Sequence, residues 1–72
     1  MKLLCVDSEP VYREILSLCA EKENIQVKSV ATYDEAILAF IDYAPDIVTL
    51  DVILKGGNAF ELVQNIKRLS GS

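Results

Sequence analysis

The sequence predicts an α/β fold: a three-layer arrangement in which a parallel sheet of strand order 2-1-3 lies between helices. Three observations predict it. Short apolar runs alternate with segments of helical period in the order β-α-β-α-β-α, which implies parallel strands joined by right-handed crossovers. The first run is continuously apolar and the third is of the same buried type, as in strands buried on both faces, whereas the second alternates, as at a sheet edge. Finally, 72 residues without a repeat or an internal linker allow one small domain. A core of that size hides only about 60% of the surface its unfolded chain exposes.

Each element has its own signal. The run Leu3-Leu4-Cys5-Val6 makes residues 2–6 the first strand, β1, and Asp7-Ser8-Glu9-Pro10 ends it. Ser8 or Glu9 can cap the helix that follows, and Pro10 suits its first turn, where the missing N–H costs nothing. Val11, Ile15, Leu18 and Cys19 then recur at helical spacing, giving α1 over residues 9–21. Residues 25–30 alternate and form β2. Thr32 and Glu35 make a capping box in which hydroxyl and carboxylate satisfy reciprocal backbone N–H groups. Behind it Ala36, Ile37, Phe40 and Ile41 give α2 (33–43) an apolar stripe, closed before Pro45. Residues 46–50 form β3, and Lys55-Gly56-Gly57 a loop. Asn58, with Glu61 three residues on, caps α3 (59–69), whose buried face is Ala59, Leu62, Val63, Ile66 and Leu69. Residues 70–72, Ser-Gly-Ser, read as a flexible end or an added scar outside the domain of residues 1–69.

Composition removes several functions. Seven basic residues against eleven acidic ones give a net charge of −4, the wrong sign for a nucleic-acid module and of little attraction to an anionic membrane. No apolar run approaches the ~18 residues of a membrane span, and Asp7 interrupts the opening run too early for a signal peptide. The cytosol is the expected compartment. Histidine is absent, so neither Ser-His nor Cys-His catalysis can be assembled within the chain. Cys5 and Cys19 lack the spacing and partners of a zinc site and are expected to be inert core residues. Carboxylates, hydroxyls and lysines remain.

Topology brings two of those carboxylates together. Ligands of open parallel sheets bind at the carboxyl ends of the strands, where the strand order reverses, here between β1 and β3. Asp7 and Asp51 end those strands. Two carboxylates in an open crevice suit Mg²⁺, which takes one or two of them with water and phosphate oxygens, and a carboxylate there can serve as nucleophile toward a phosphoryl group. On pattern alone a plainer reading stands beside this one: Asp7 caps α1 and Asp51 opens a turn.

The flanking residues bear on that choice. Leu4-Cys5-Val6-Asp7-Ser8-Glu9-Pro10 resembles the "VDDEP" opening of response-regulator receiver domains. Pro45-Asp46-Ile47-Val48-Thr49-Leu50-Asp51 is similar to their "PDLVLLD", and residues 52–62 follow in register, so the resemblance covers residues 2–69. It implies the N-terminal β-α-β-α-β-α half of a flavodoxin-like (βα)5 fold. It further implies that Asp51 accepts a phosphoryl group from a histidine kinase or phosphotransfer protein. Mg²⁺ would be held by Asp7, Asp51 and the backbone carbonyl of Ile53. Such a domain is a phosphoacceptor in signalling and not an enzyme acting on a free substrate.

The sequence also departs from the pattern. Ser8 stands where the family has a second acidic residue, so it is at most a weak metal ligand and Mg²⁺ affinity is expected to be low. Lys55 replaces the loop proline and could place a positive charge near the crevice, though it reads more readily as a solvated lysine, and Asn58-Ala59 replaces an Asp-Gly pair. The family's later strands, which carry a Thr or Ser and a Lys that contact the phosphoryl group, have no counterpart in these 72 residues, so transfer to Asp51 is expected to be impaired. The alternative is a non-catalytic module that self-associates through β3 and the exposed face of α1 into a homo-oligomer. A phosphatase of the haloacid-dehalogenase type would need a second Asp two residues after the nucleophile, where Ile53 stands.

Overall fold

In the computed structural model the described residues are 1–52 and 58–70. β1 (Lys2–Val6) lies between β2 (Gln26–Val30) and β3 (Ile47–Leu50) and is parallel to both, giving the expected order 2-1-3. The register pairs Val6 with Val30 on one side and with Leu50 on the other. Two strands start one residue later than the sequence suggested. Ile25 donates its N–H to the Ala20 carbonyl (2.9 Å) and so closes the exit of α1. Asp46 still donates to the Lys2 carbonyl (2.8 Å), while its own carboxylate accepts the Lys2 N–H (2.8 Å), an exchange that fixes the start of β1 against β3.

Side chains of β1 alternate between two layers. Leu4 and Val6 join Val30, the α2 (Tyr33–Tyr43) residues Tyr33, Ala36 and Ala39, and Leu62 of α3 (Ala59–Leu69) in the main core. Leu3 and Cys5, also buried, belong to the opposite face, where α1 (Pro10–Lys22) packs on β1 and β2. The first helix starts at Pro10 and not at residue 9. Glu9 is its extended N-cap and makes no side-chain capping bond.

The sheet-facing side of α1 is not the expected one. Ala20 is buried and Arg13, Leu16 and Ser17 are half-buried, whereas Val11 (62%), Ile15 (51%) and Leu18 (56%) are exposed. Cys19 shares that outward side and is exposed, so of the two cysteines only Cys5 is a core residue. The sheet-facing side is thus mixed, with Leu16 and Ala20 beside Arg13 and Ser17, while the more apolar stripe faces outward. α3 is also less buried than its pattern suggested: Leu62 alone is buried, Ala59 and Ile66 are half-buried, and Val63 and Leu69 are exposed. On α2, Ile41 is likewise exposed while Tyr33 and Ala39 take its place in the core.

Both expected caps form. The Asn58 amide oxygen accepts the Glu61 N–H (2.8 Å) and the Thr32 hydroxyl accepts the Glu35 N–H (3.2 Å). The capping box is completed differently from expectation, because the Glu35 carboxylate takes the Thr32 O–H (3.0 Å) and not a backbone N–H. α2 ends on Ala44 in the left-handed conformation (φ 50°), just before Pro45.

Candidate functional site

The ladder of β1 places the two strand-ending carboxylates side by side. Asp51 donates its N–H to the Val6 carbonyl (2.8 Å), and Asp7 donates its own to the Val30 carbonyl (3.1 Å). Both residues are therefore held by the last bonds of the sheet, at the end where its strands terminate. The Asp7 carboxylate accepts the Glu9 N–H (2.9 Å) and the Arg13 guanidinium donates to the Asp7 backbone carbonyl (2.7 Å), anchoring α1 to the strand end. The plainer sequence reading of Asp7 as the cap of α1 does not hold, because the N-cap is Glu9; one Asp7 oxygen instead holds the Glu9 N–H, and the side chain still lines the crevice.

Asp7, Ser8, Glu9, Tyr12 and Asp51 surround an opening of about 290 Å³. A second, more apolar cleft of about 270 Å³ adjoins it and shares Asp7, Tyr12 and Asp51. Three carboxylates and no basic side chain line the first opening among the described residues. Its donors are hard oxygens, the class of ligand that a hard cation such as Mg²⁺ takes. No group of three His, Cys, Asp or Glu among the described residues is placed to hold a metal ion alone, so water, backbone or phosphate oxygens would have to complete the shell. Ile53, Lys55 and the glycines after it lie outside the described residues. A larger recess of about 680 Å³ lies at the other end of β2, with Glu21 its one carboxylate among the described residues, and shares none of them with the crevice.

Two tyrosines near the site were not singled out by the sequence. Tyr12 sits on the first turn of α1, and the signal that could have found it is its place five residues after Asp7, where a helix leaving the strand end passes over the crevice. Tyr33 opens α2 and is 8% exposed, with its hydroxyl buried and without a hydrogen-bond partner. Burial, then the negative charges of Asp51 and Glu61, push that hydroxyl above its ordinary value of 10.0. The folded state therefore holds this proton more tightly than the unfolded chain, and stability falls as pH rises above 10.0 toward the folded value. Below 10.0 the group makes no such contribution. Chemical denaturation on either side of pH 10.0 is expected to show a steeper alkaline loss in the wild type than in Tyr33→Phe. Tyr12 and Tyr43 remain in both proteins, so equal slopes would remove Tyr33 as the cause.

The response regulator receiver domain family has a model that matches residues 3–72, nearly the whole chain. The chain belongs to that family. This receiver chain is 38% identical over 72 residues to the sensory transduction protein LytT of Enterococcus faecalis, covering 96% of this chain and 29% of that protein. It is 29% identical over 69 residues to the phosphate regulon transcriptional regulatory protein PhoB of Escherichia coli (strain K12), covering 96% of this chain and 30% of that one. Among solved structures, the non-phosphorylated HemR receiver domain from Leptospira biflexa superposes with a TM-score of 0.86 at 30% identity, over 93% of this chain and 54% of that domain. This receiver chain therefore spans under a third of those curated relatives and about half of that solved domain. The family and the three-stranded parallel fold expected from the sequence both hold. Among the described residues no helix is long and apolar enough to cross a membrane.

Proposed function

We propose that the chain is a phospho-accepting receiver module in two-component signalling, with Asp51 taking a phosphoryl group from the phosphohistidine of a histidine kinase or phosphotransfer protein. The observation that carries this reading is the pairing of Asp7 with Asp51 in one crevice, imposed by adjacent strands. An Asp51 carboxylate oxygen forms the new O–P bond as the P–N bond of the donor breaks, leaving the electron pair on the imidazole nitrogen. Asp7, Asp51 and the backbone carbonyl of Ile53 would hold Mg²⁺, with Ser8 as a weak neutral ligand in place of a carboxylate. Bound Mg²⁺ supplies positive charge for the phosphoryl oxygens. Because Ser8 adds no charge, affinity for the ion is low.

Phosphoryl transfer depends on positioning and electrostatic stabilisation, and on this reading the chain is a signalling domain and not an enzyme on a free substrate. Net charge −4 supports a protein partner over nucleic acid or an anionic membrane surface. The test is labelling by acetyl phosphate with Mg²⁺, compared between the wild type and Asp51→Asn.

A second reading, self-association, is favoured by the exposed stripe of Val11, Ile15 and Leu18 together with the outer edge of β3, which pairs with no strand among the described residues. Apolar edges and stripes of this kind are templates for a second copy. Sedimentation of the 72-residue chain across a dilution series is expected to show a concentration-dependent dimer, weakened by Ile15→Lys, a charge placed on a residue already 51% exposed. A compact monomer at every concentration would end this reading.

A further inference from the structure

We propose that the groove between α2 and α3 is a two-fold dimer face, on which the same groove of a second copy packs end for end. The groove consists of two adjoining clefts that share Ile37 and Asn65. One cleft, of about 160 Å³, lies where both helices begin and has Asp34 and Glu61 as its charged residues among those described. The other, of about 220 Å³, sets Ile37 and Leu69 beside Arg68, with no acidic residue among the described residues that line it. Leu69 is 50% exposed, and Ile41, one turn beyond Ile37 on α2, is 56% exposed.

The order of charge along this face decides what fits it. It is acidic where the helices start, apolar beside Asn65, and basic at the end of α3, where Lys67 joins Arg68 in the last turn. Such a face is its own complement. Turned end for end about a two-fold axis, Arg68 of one copy meets Glu61 of the other, and the contact occurs twice because both subunits use the same patch. Glu61, Asn65 and Arg68 recur at helical spacing on one side of α3, so the axis passes near Asn65, whose amides can then exchange hydrogen bonds. Ile37, Ile41 and Leu69 of both copies supply the apolar area around it. The groove shares no described residue with the crevice of Asp7 and Asp51, so a dimer formed here leaves the phosphoacceptor open.

The test is sedimentation equilibrium across a dilution series with Ile15→Lys present in every protein, which separates this face from the stripe of α1. The Ile15→Lys protein is expected to remain a dimer in equilibrium with monomer. Adding Arg68→Glu sets like charges against each other at both contacts and is expected to raise the dissociation constant roughly tenfold or more. Glu61→Arg alone should do the same, and the two reversals together, which restore opposite charges, should return it to within roughly threefold of the starting value. Both reversals oppose the dipole of α3, so circular dichroism checks the fold of each, and Ile41→Lys on α2 is a second probe with the same expected loss. Any of three results overturns the proposal: a monomer at every concentration with Ile15→Lys alone, no weakening by Ile41→Lys, or a folded double reversal no tighter than the single ones. None of them touches the reading of Asp51, which labelling tests separately.

Discussion

Asp51→Asn is expected to reduce phosphoryl labelling of the chain to background. The amide has the shape of the carboxylate but is a far weaker nucleophile, and it brings no negative charge to a metal ion. Asparagine retains the Asp51 backbone N–H to the Val6 carbonyl, a bond that holds this strand end, and circular dichroism of both proteins checks that the fold is kept. Acetyl phosphate with Mg²⁺ should therefore label the wild type at one aspartate, detectable by mass spectrometry as an acid-stable, hydroxylamine-sensitive adduct. Chelation of Mg²⁺ should suppress the same labelling, since Asp7 and Asp51 would then repel the incoming phosphate unshielded. Equal labelling of Asp51→Asn would move the acceptor elsewhere, and no labelling of the wild type would leave self-association as the reading to pursue.

That prediction draws on residues legible from sequence alone. Strand order followed from the contrast between the continuous run of β1 and the alternation of β2, and strand order in turn brought Asp7 and Asp51 together. Such features are set by backbone pairing, which needs only the period of the side chains. Helix faces were harder to read. In α1, Val11, Ile15 and Leu18 outweigh Leu16 and Ala20 in hydrophobicity, yet the lighter side lies on the sheet. Periodicity identifies stripes, but depth of approach depends on side-chain volume against the facing strand, which no single segment encodes. The same limit hid Tyr33, whose ring enters the core from the first turn of α2, and Tyr12, whose importance depends on where α1 passes over the crevice.

Leu4→Ala is expected to be the most damaging single truncation and to remove the site together with the fold. Leu4 is fully buried, at the middle of the central strand, where it pairs with Lys28 of β2 and Val48 of β3. Truncating a buried leucine costs about 2–5 kcal/mol, the lost transfer energy plus the cavity left behind. At roughly 0.05–0.15 kcal/mol per residue, a 72-residue chain has only about 4–11 kcal/mol in all. A domain of this size loses about 4–8 °C of Tm for each kcal/mol, so the drop should be at least ~8 °C. Leu38→Ala is the matched control, because Leu38 is 63% exposed on α2 and surface truncations of this kind stay within about 0.5 kcal/mol. Labelling at Asp51 should fall with the folded fraction in Leu4→Ala, because the β1–β3 ladder that Leu4 supports is what sets Asp7 beside Asp51. Melting by circular dichroism and labelling at matched temperatures measure both, and a Leu4→Ala protein as stable as Leu38→Ala would mean that the core lies elsewhere than around β1.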